Sequence, residues 1–177
     1  MNKEEFTQKV LALEKSTYHI AMTILKNVDD CADAMQNAIL IAYKNLSGLR
    51  QKEFFDTWFT RIMINECYKL IRSRKATIPY EKYPEPAAPD NGSIHSEVYE
   101  EIMQLDETYR LPFVLHYVEG YFIKETAQIL DISQGAVKVR LFLICTICFY
   151  KQTAVLENQD RLKIFILPQA IPWVQFS

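Results

Sequence analysis

The polar side chains best suited to chemistry in this 177-residue chain fall within one predicted helix of its first half. They follow one another at spacings of four, three and four residues, which places them on a single stripe of the helix surface: Arg61, Asn65, Tyr68 and Arg72. Lys69 and Arg74 flank the stripe. Cations neutralise phosphates, an amide can read a base edge, and a ring can stack on an unpaired base. The mixture suits partly opened DNA, and a solvated polar helix face is the alternative interpretation.

Two predicted helices joined by a short turn hold that stripe in place. The first starts at Asp29 or Asp30, whose carboxylates would cap orphan N–H groups. Its apolar positions recur at helical spacing: Met35, Ala38, Ile39, Ala42 and Leu46. Gly48 gives the turn its backbone freedom. The second helix buries apolar residues by the same spacing: Phe55, Trp58, Phe59, Ile62 and Leu70.

An amphipathic helix over residues 3–27 completes a first domain of residues 1–76. Residues 77–92 contain four prolines and a glycine without apolar periodicity, which predicts an extended linker. Residues 79–108 carry one basic and eight acidic side chains, so an acidic block lies between two weakly basic ones.

A second helical domain is predicted over residues 93–141. Ser93 or Ser96 can cap its first helix, and Asp106 can cap the next, with Pro112 early in it. Gly120 would end that helix.

A helix-turn-helix is indicated next by the offsets between a small residue, a turn residue and an apolar residue: Ala127, Asp131 and Val137. Asp tolerates the left-handed conformation that this turn needs, and Ser133 is a natural N-cap. We expect the second helix to present three side chains to the major groove: Gln134, Lys138 and Arg140. An ordinary helical hairpin is the alternative.

The composition fits an all-α globular protein, with 49% hydrophobic and 24% charged residues and only four glycines. The longest apolar run, 141–150, is too short to span a bilayer. The N-terminus lacks an apolar signal segment, so we expect a cytoplasmic location without membrane insertion.

No arrangement of residues suggests catalysis. The sequence contains no nucleophile–base pair, phosphate-binding glycine loop or metal cluster, and Cys145 and Cys148 lack a second ligand pair. We therefore expect no enzyme activity, cofactor, metal or small-molecule substrate.

Several segments resemble bacterial RNA polymerase sigma factors of the small extracytoplasmic-function (ECF) group. In region 2 of that family the matching residues are 32–36, the aromatic pair Trp58-Phe59 with Arg61, Ile62 and Asn65, and the basic end 72–75. In region 4 the match is the phrase LDETYRLPFVLHYVEGY. The resemblance implies two small helical domains, one docking on core RNA polymerase and melting the −10 promoter element, the other reading the −35 element.

The resemblance also implies roles for single residues. The polymerase contacts would be Asp33, Gln36 and Asn37, although the family usually carries an acid at position 37. The −10 contacts would be Arg61, Asn65, Tyr68, Lys69, Arg72 and Arg74. The −35 contacts would be Lys124, Gln134, Lys138 and Arg140, with Ala136 standing where threonine is usual. Core polymerase and promoter DNA are the implied partners, and an anti-sigma factor is common in the family.

Residues 142–177 do not continue the resemblance. The family extends its recognition helix with a basic run, whereas cations are absent here from Phe142 to Tyr150. We favour a frameshift over a native apolar extension. Reading the coding DNA in the other two frames tests this, because a frameshift requires one of them to encode a basic helix continuing from Leu141.

Two other functions remain open from the residues. One is a helix-turn-helix regulator that acts without polymerase docking, usually as a dimer at paired half-sites. The other is a polymerase- or partner-binding module with impaired −35 recognition.

Overall fold

The structure is a computed structural model that describes residues 1–49, 51–77 and 102–156. Within these ranges the regular elements are helical and no strand is present, so the all-α prediction is confirmed. The first group of helices comprises α1 (Lys3–Leu25), α2 (Val28–Lys44) and α3 (Phe55–Thr77), with 3-10 turns at Leu46–Gly48 and Lys52–Phe54. The second comprises α4 (Glu107–Phe113), a π-helical turn (Val114–Val118), α5 (Ile123–Leu130) and α6 (Gln134–Leu156).

The predicted linker overlaps the end of α3 by one residue, Thr77. Its remaining residues lie outside the described ranges. The proposed caps Ser93 and Ser96 lie outside them as well.

Asparagine side chains begin the first two helices. Asn2 accepts a hydrogen bond from the Glu5 N–H at 2.7 Å, and Asn27 accepts one from the Asp30 N–H at 3.0 Å. The prediction that Asp29 or Asp30 caps α2 is wrong. Asn27 has the extended backbone of an N-cap residue, and its side chain accepts the hydrogen bond from the Asp30 N–H. Both aspartates instead occupy the first turn of α2, at its positive end.

Helix α1 is two residues shorter than the predicted 3–27. Lys26 adopts a left-handed conformation, φ 53°, and its N–H bonds the Met22 carbonyl, which ends the helix at Leu25. Lysine is not a usual residue for such a position, so this helix end is not predictable from the residue type.

The core lies where α1, α2 and α3 pack pairwise on one another. Helix α3 contributes large side chains that are almost fully buried, Phe55, Phe59 and Met63. Small residues of α2, Ala34, Ala38 and Ala42, are also fully buried and let the helices approach closely. The same hydrophobic cluster continues into the second group of helices through Ile102, Leu111, Val114, Leu115 and Ile129. The two groups therefore share one core.

In the second group, the predicted helix cap and helix-ending glycine are present, and the predicted position of the proline is wrong. Asp106 caps α4 by accepting from the Thr108 N–H at 2.8 Å, and Gly120 at φ 78° follows the π-helical turn. Pro112, predicted early in its helix, is instead the sixth residue of α4. A proline there removes a donor from the helix interior, and the wider π-helical turn begins two residues later.

The predicted helix-turn-helix is confirmed. Asp131 adopts the left-handed conformation, φ 57° and ψ 42°, and Ser133 Oγ accepts a bond from the Ala136 N–H at 3.1 Å. Ala127 packs with Val137 and Leu141 in a small separate cluster between α5 and α6. The second helix continues to Leu156.

An ion pair joins the start of α2 to the end of α3. The Arg74 guanidinium donates to the Asp30 carboxylate, whose side chain is 6% exposed, while that of Arg74 is 39% exposed. The second Asp30 oxygen is buried without a hydrogen-bond partner. The Asp30 carboxylate therefore depends on Arg74 for compensation.

We expect Arg74→Ala to lower the free energy of unfolding by about 2 kcal/mol. Breaking a buried pair typically costs about 3–5 kcal/mol, and the partial exposure of Arg74 reduces that figure. Arg72→Ala is the matched control, since Arg72 is exposed on the same helix and should change stability by less than about 0.5 kcal/mol. Urea denaturation measures both variants. Equal midpoints for the two variants would contradict the structural role of Arg74.

Candidate nucleic-acid interface

The predicted stripe of α3 is present on the helix surface, but only part of it faces open solvent. Arg61, Asn65 and Arg72 are exposed, and Tyr68 is half-buried. Three of these side chains, Arg61, Asn65 and Tyr68, line a cavity of about 520 Å³ between α3 and the second group of helices.

Arg61 makes two contacts across this cavity. Its guanidinium donates to the Gln128 carbonyl at 3.3 Å and lies 3.4 Å from an Asp131 carboxylate oxygen. Both partners belong to the helix-turn-helix, one in α5 and one at the turn. The cation predicted to neutralise a phosphate is therefore already paired within the chain.

Tyr68 faces the start of α4. Burial raises the pKa of Tyr68, and the Glu107 carboxylate that accepts its hydrogen bond raises it further. The phenol therefore stays neutral, which keeps its ring uncharged for stacking.

Two further contacts join the groups of helices beside the stripe. The Thr60 and Tyr121 hydroxyls lie 2.7 Å apart and share a hydrogen bond, and Thr60 is fully buried. His19 Nδ1 of α1 lies 3.4 Å from a carboxylate oxygen of Glu119, whose side chain is 8% exposed. Neither pair is predictable from the sequence, because each joins single polar residues far apart in the chain without a motif around them.

The two cations that flank the stripe, Lys69 and Arg74, form ion pairs with residues of the first group of helices. Lys69 Nζ lies 3.2 Å from a carboxylate oxygen of Glu66 one turn earlier on α3, and Arg74 pairs with Asp30. Lys69 is nevertheless exposed, and an exposed ion pair contributes little stability. Its ammonium group therefore remains accessible to a ligand.

The recognition-helix residues do not share one face. Gln134 and Lys138 are exposed one turn apart on α6. Arg140 is two residues beyond Lys138, nearly opposite on the helix, and lines the cavity beside Arg61. The expectation that all three point together is therefore wrong for Arg140 in this arrangement. Lys124 is exposed on α5.

The predicted polymerase contacts form a separate surface on α2. Gln36 and Asn37 lie three and four residues after Asp33, so the three side chains lie on one face of the helix, and all three are exposed. None of them lines the cavity.

Three cysteines have described surroundings: Cys31 and Cys67 are buried, and Cys145 is partly exposed. Burial raises the pKa of Cys31 to about 11 and that of Cys67 to about 12, which keeps both thiols protonated. Cys145 Sγ is 3.9 Å from the Tyr117 hydroxyl. Across the described parts of the chain, no three His, Cys, Asp or Glu residues gather closely enough to hold a metal ion. In the same parts, no helix has the length and apolar character needed to cross a bilayer.

Family models match both halves of the chain. The Sigma-70 region 2 model matches residues 10–77, and the Sigma-70 region 4 model matches residues 95–148. The second match extends beyond Leu141 into the segment where the basic run is missing. The frameshift hypothesis for residues 142–177 stays a prediction.

Relatives support the same assignment. The chain is 28% identical over 138 residues to the ECF RNA polymerase sigma factor SigM of Mycobacterium tuberculosis, covering 76% of this chain and 70% of SigM. It is 25% identical over 158 residues to the ECF RNA polymerase sigma factor SigW of Bacillus subtilis, covering 79% of this chain and 84% of SigW.

Two solved structures have the same fold. The sigma factor RpoE from Bartonella quintana, solved with the anti-sigma factor NepR, gives a TM-score of 0.67 at 18% identity and covers 89% of this chain and 99% of its own. CnrH, solved with the cytosolic domain of CnrY, gives 0.62 at 22% identity and covers 88% of this chain and 90% of its own.

The two family matches together span most of the chain, and a helix-turn-helix regulator without polymerase docking would not account for the region 2 match. With its two helical groups, its α3 stripe and its helix-turn-helix, the chain belongs to the ECF group of the sigma-70 family of RNA polymerase sigma factors.

Proposed function

We propose that this sigma factor directs RNA polymerase to promoters through three separate surfaces: the α2 face for core polymerase, the α3 stripe for the −10 element and the α6 face for the −35 element. The observation that carries the proposal is the presence of both sigma regions in one chain. Such a chain binds one promoter at two places, so each contact can be weak. Catalysis and its metal ions belong to the polymerase, and the chain acts in the cytoplasm.

The α3 stripe has the chemistry needed to hold a melted strand. Asn65 offers an amide that can bond a base edge, Tyr68 offers a neutral ring, and Arg72 is an exposed cation one turn further along. The three side chains lie along one line of the helix.

We expect Asn65→Ala to reduce specific initiation about ten-fold while core polymerase binding is retained, because the loss of one base-edge contact costs about 1–3 kcal/mol. The measurement mixes purified protein, core RNA polymerase and genomic DNA, then sequences transcript 5′ ends. Wild type should give discrete start sites that share upstream elements.

Gln8→Ala is the matched control, since Gln8 is an exposed amide on α1, outside the stripe. Unchanged start sites and yields with Asn65→Ala would contradict the assigned role of the stripe. Failure of wild type to bind polymerase at all would contradict the proposed function.

The α2 face suits a protein partner rather than DNA. It offers an acid and two amides, Asp33, Gln36 and Asn37, on the exposed side of a helix whose other side is buried against α3. An acidic side chain there would repel phosphates but can pair with a basic surface of the polymerase.

We expect Asp33→Lys to weaken binding of core polymerase about ten-fold, because it reverses the charge at the centre of this face. Glu14→Lys makes the same reversal on α1, where Glu14 is exposed, and should leave the affinity unchanged. Fluorescence anisotropy of labelled protein titrated with core polymerase measures both. Equal losses would show a general charge effect and reject the α2 face.

The α6 face is proposed to contact the −35 element through Gln134 and Lys138, with Lys124 of α5 as a further contact. An anti-sigma factor is proposed as a regulatory partner. The similar structure of RpoE, solved with the anti-sigma factor NepR, supports it.

A further inference from the structure

We propose that the apolar segment 164–177 of this chain docks on an apolar surface of α6 formed by Val139, Phe142 and Leu143, which we call the α6 apolar stripe. The segment lies outside the described residues, and its composition and length identify it as the occupant. This docking is independent of the promoter function proposed above. It concerns residues 142–177 as they stand in the sequence, whatever reading frame encodes them.

The α6 apolar stripe lies on the solvent-exposed side of the helix. Phe142 and Leu143 follow Val139 by three and four residues, so the three side chains share one face. Their exposed fractions are 58% for Val139, 65% for Phe142 and 38% for Leu143. The opposite face of the same turn, with Leu141 and Ile144, is buried.

This part of α6 is therefore apolar on every side. The sequence has no charged residue from Leu141 to Tyr150. A helix at a protein surface normally carries polar side chains toward solvent, and a helix that is apolar all round is normally buried. Single exposed apolar residues need no explanation, but a contiguous group of them marks a surface that another segment covers.

Residues 164–177 have the composition needed to cover the stripe. Nine of these fourteen residues are apolar and none is charged. Pro168 and Pro172 remove backbone donors and restrict the residues before them, which favours an extended segment over a helix. The apolar side chains of such a segment gain free energy when they leave water.

The segment is long enough to reach the stripe from the end of α6. The helix ends at Leu156, about 20 Å beyond Leu143 at 1.5 Å per residue. Residues 157–163 carry two acidic and two basic side chains and suit a polar turn. Residues 164–177 extend to about 45 Å at most, which is more than the return distance along α6.

The small size of the stripe favours the chain's own segment over a second copy of the chain. A stable interface between two proteins buries about 800 Å² on each partner, and three side chains expose far less than that. A tethered segment needs less contact area, because its tether supplies an effective concentration on the order of millimolar.

Trp173 of the segment serves as the reporter in the test, because the chain has one other tryptophan, Trp58 of α3. In the full chain, Trp58→Phe leaves Trp173 as the single tryptophan. Phe142→Asp, made in that background, places a charge at the centre of the stripe. Leu11→Asp is the matched control, since Leu11 is an exposed apolar residue of α1.

The measurements are the emission maximum of Trp173 and its quenching by acrylamide. We expect Phe142→Asp to shift the emission to longer wavelength and to raise the quenching constant about three-fold, because a charge in the contact disfavours burial. Leu11→Asp should change neither value. If circular dichroism shows that Trp58→Phe does not fold, the Trp173 signal is taken as the difference between each protein and its Trp173→Phe variant.

The outcomes distinguish the occupants of the stripe. Equal emission and quenching in Phe142→Asp and Leu11→Asp would overturn the docking. Quenching that rises as the protein is diluted would also overturn it, because a second copy would then be the cover. Protection of Trp173 that is independent of concentration and is lost in Phe142→Asp supports the chain's own segment. Neither measurement uses DNA or polymerase, so a failure of the promoter function leaves this result unaffected.

Discussion

Helix α3 is packed on two sides, and the rest of the structure depends on this double packing. One side buries Phe55, Phe59 and Met63 against α1 and α2. The other meets the second group of helices through Thr60 and Arg61. The helix that carries the polar stripe is therefore also the helix that joins the two groups of helices.

That constraint explains how charge is distributed around the helix. Arg74 compensates a buried carboxylate and Lys69 lies beside a nearly buried one, so two cations next to the stripe also have structural partners. Arg72, which is exposed, has no ion pair with any of the described residues. A count of basic residues in the segment would overestimate how many are available to phosphates.

Local features were predictable from the sequence, and long-range ones were not. The helix-turn-helix followed from the offsets of Ala127, Asp131 and Val137, since short-range geometry fixes all three. The pairing of Thr60 with Tyr121 joins residues 61 positions apart and leaves no periodic signal. The orientation of Arg140 follows from helix geometry, because a residue two positions from Lys138 lies about 200° around the helix from it. The cap of α2 is Asn27 and not Asp29 or Asp30, and residue type alone does not distinguish these three neighbouring candidates.

Asp131 has two independent tasks: it takes the left-handed conformation that ends α5, and its carboxylate faces Arg61. Glycine performs the first task without the second. One base change in an aspartate codon produces glycine, so a lineage of this protein is a single mutation from keeping the turn while losing the ion pair. Natural variation at this position would then change how strongly the two groups of helices hold together without altering the sequence of α3 or α6.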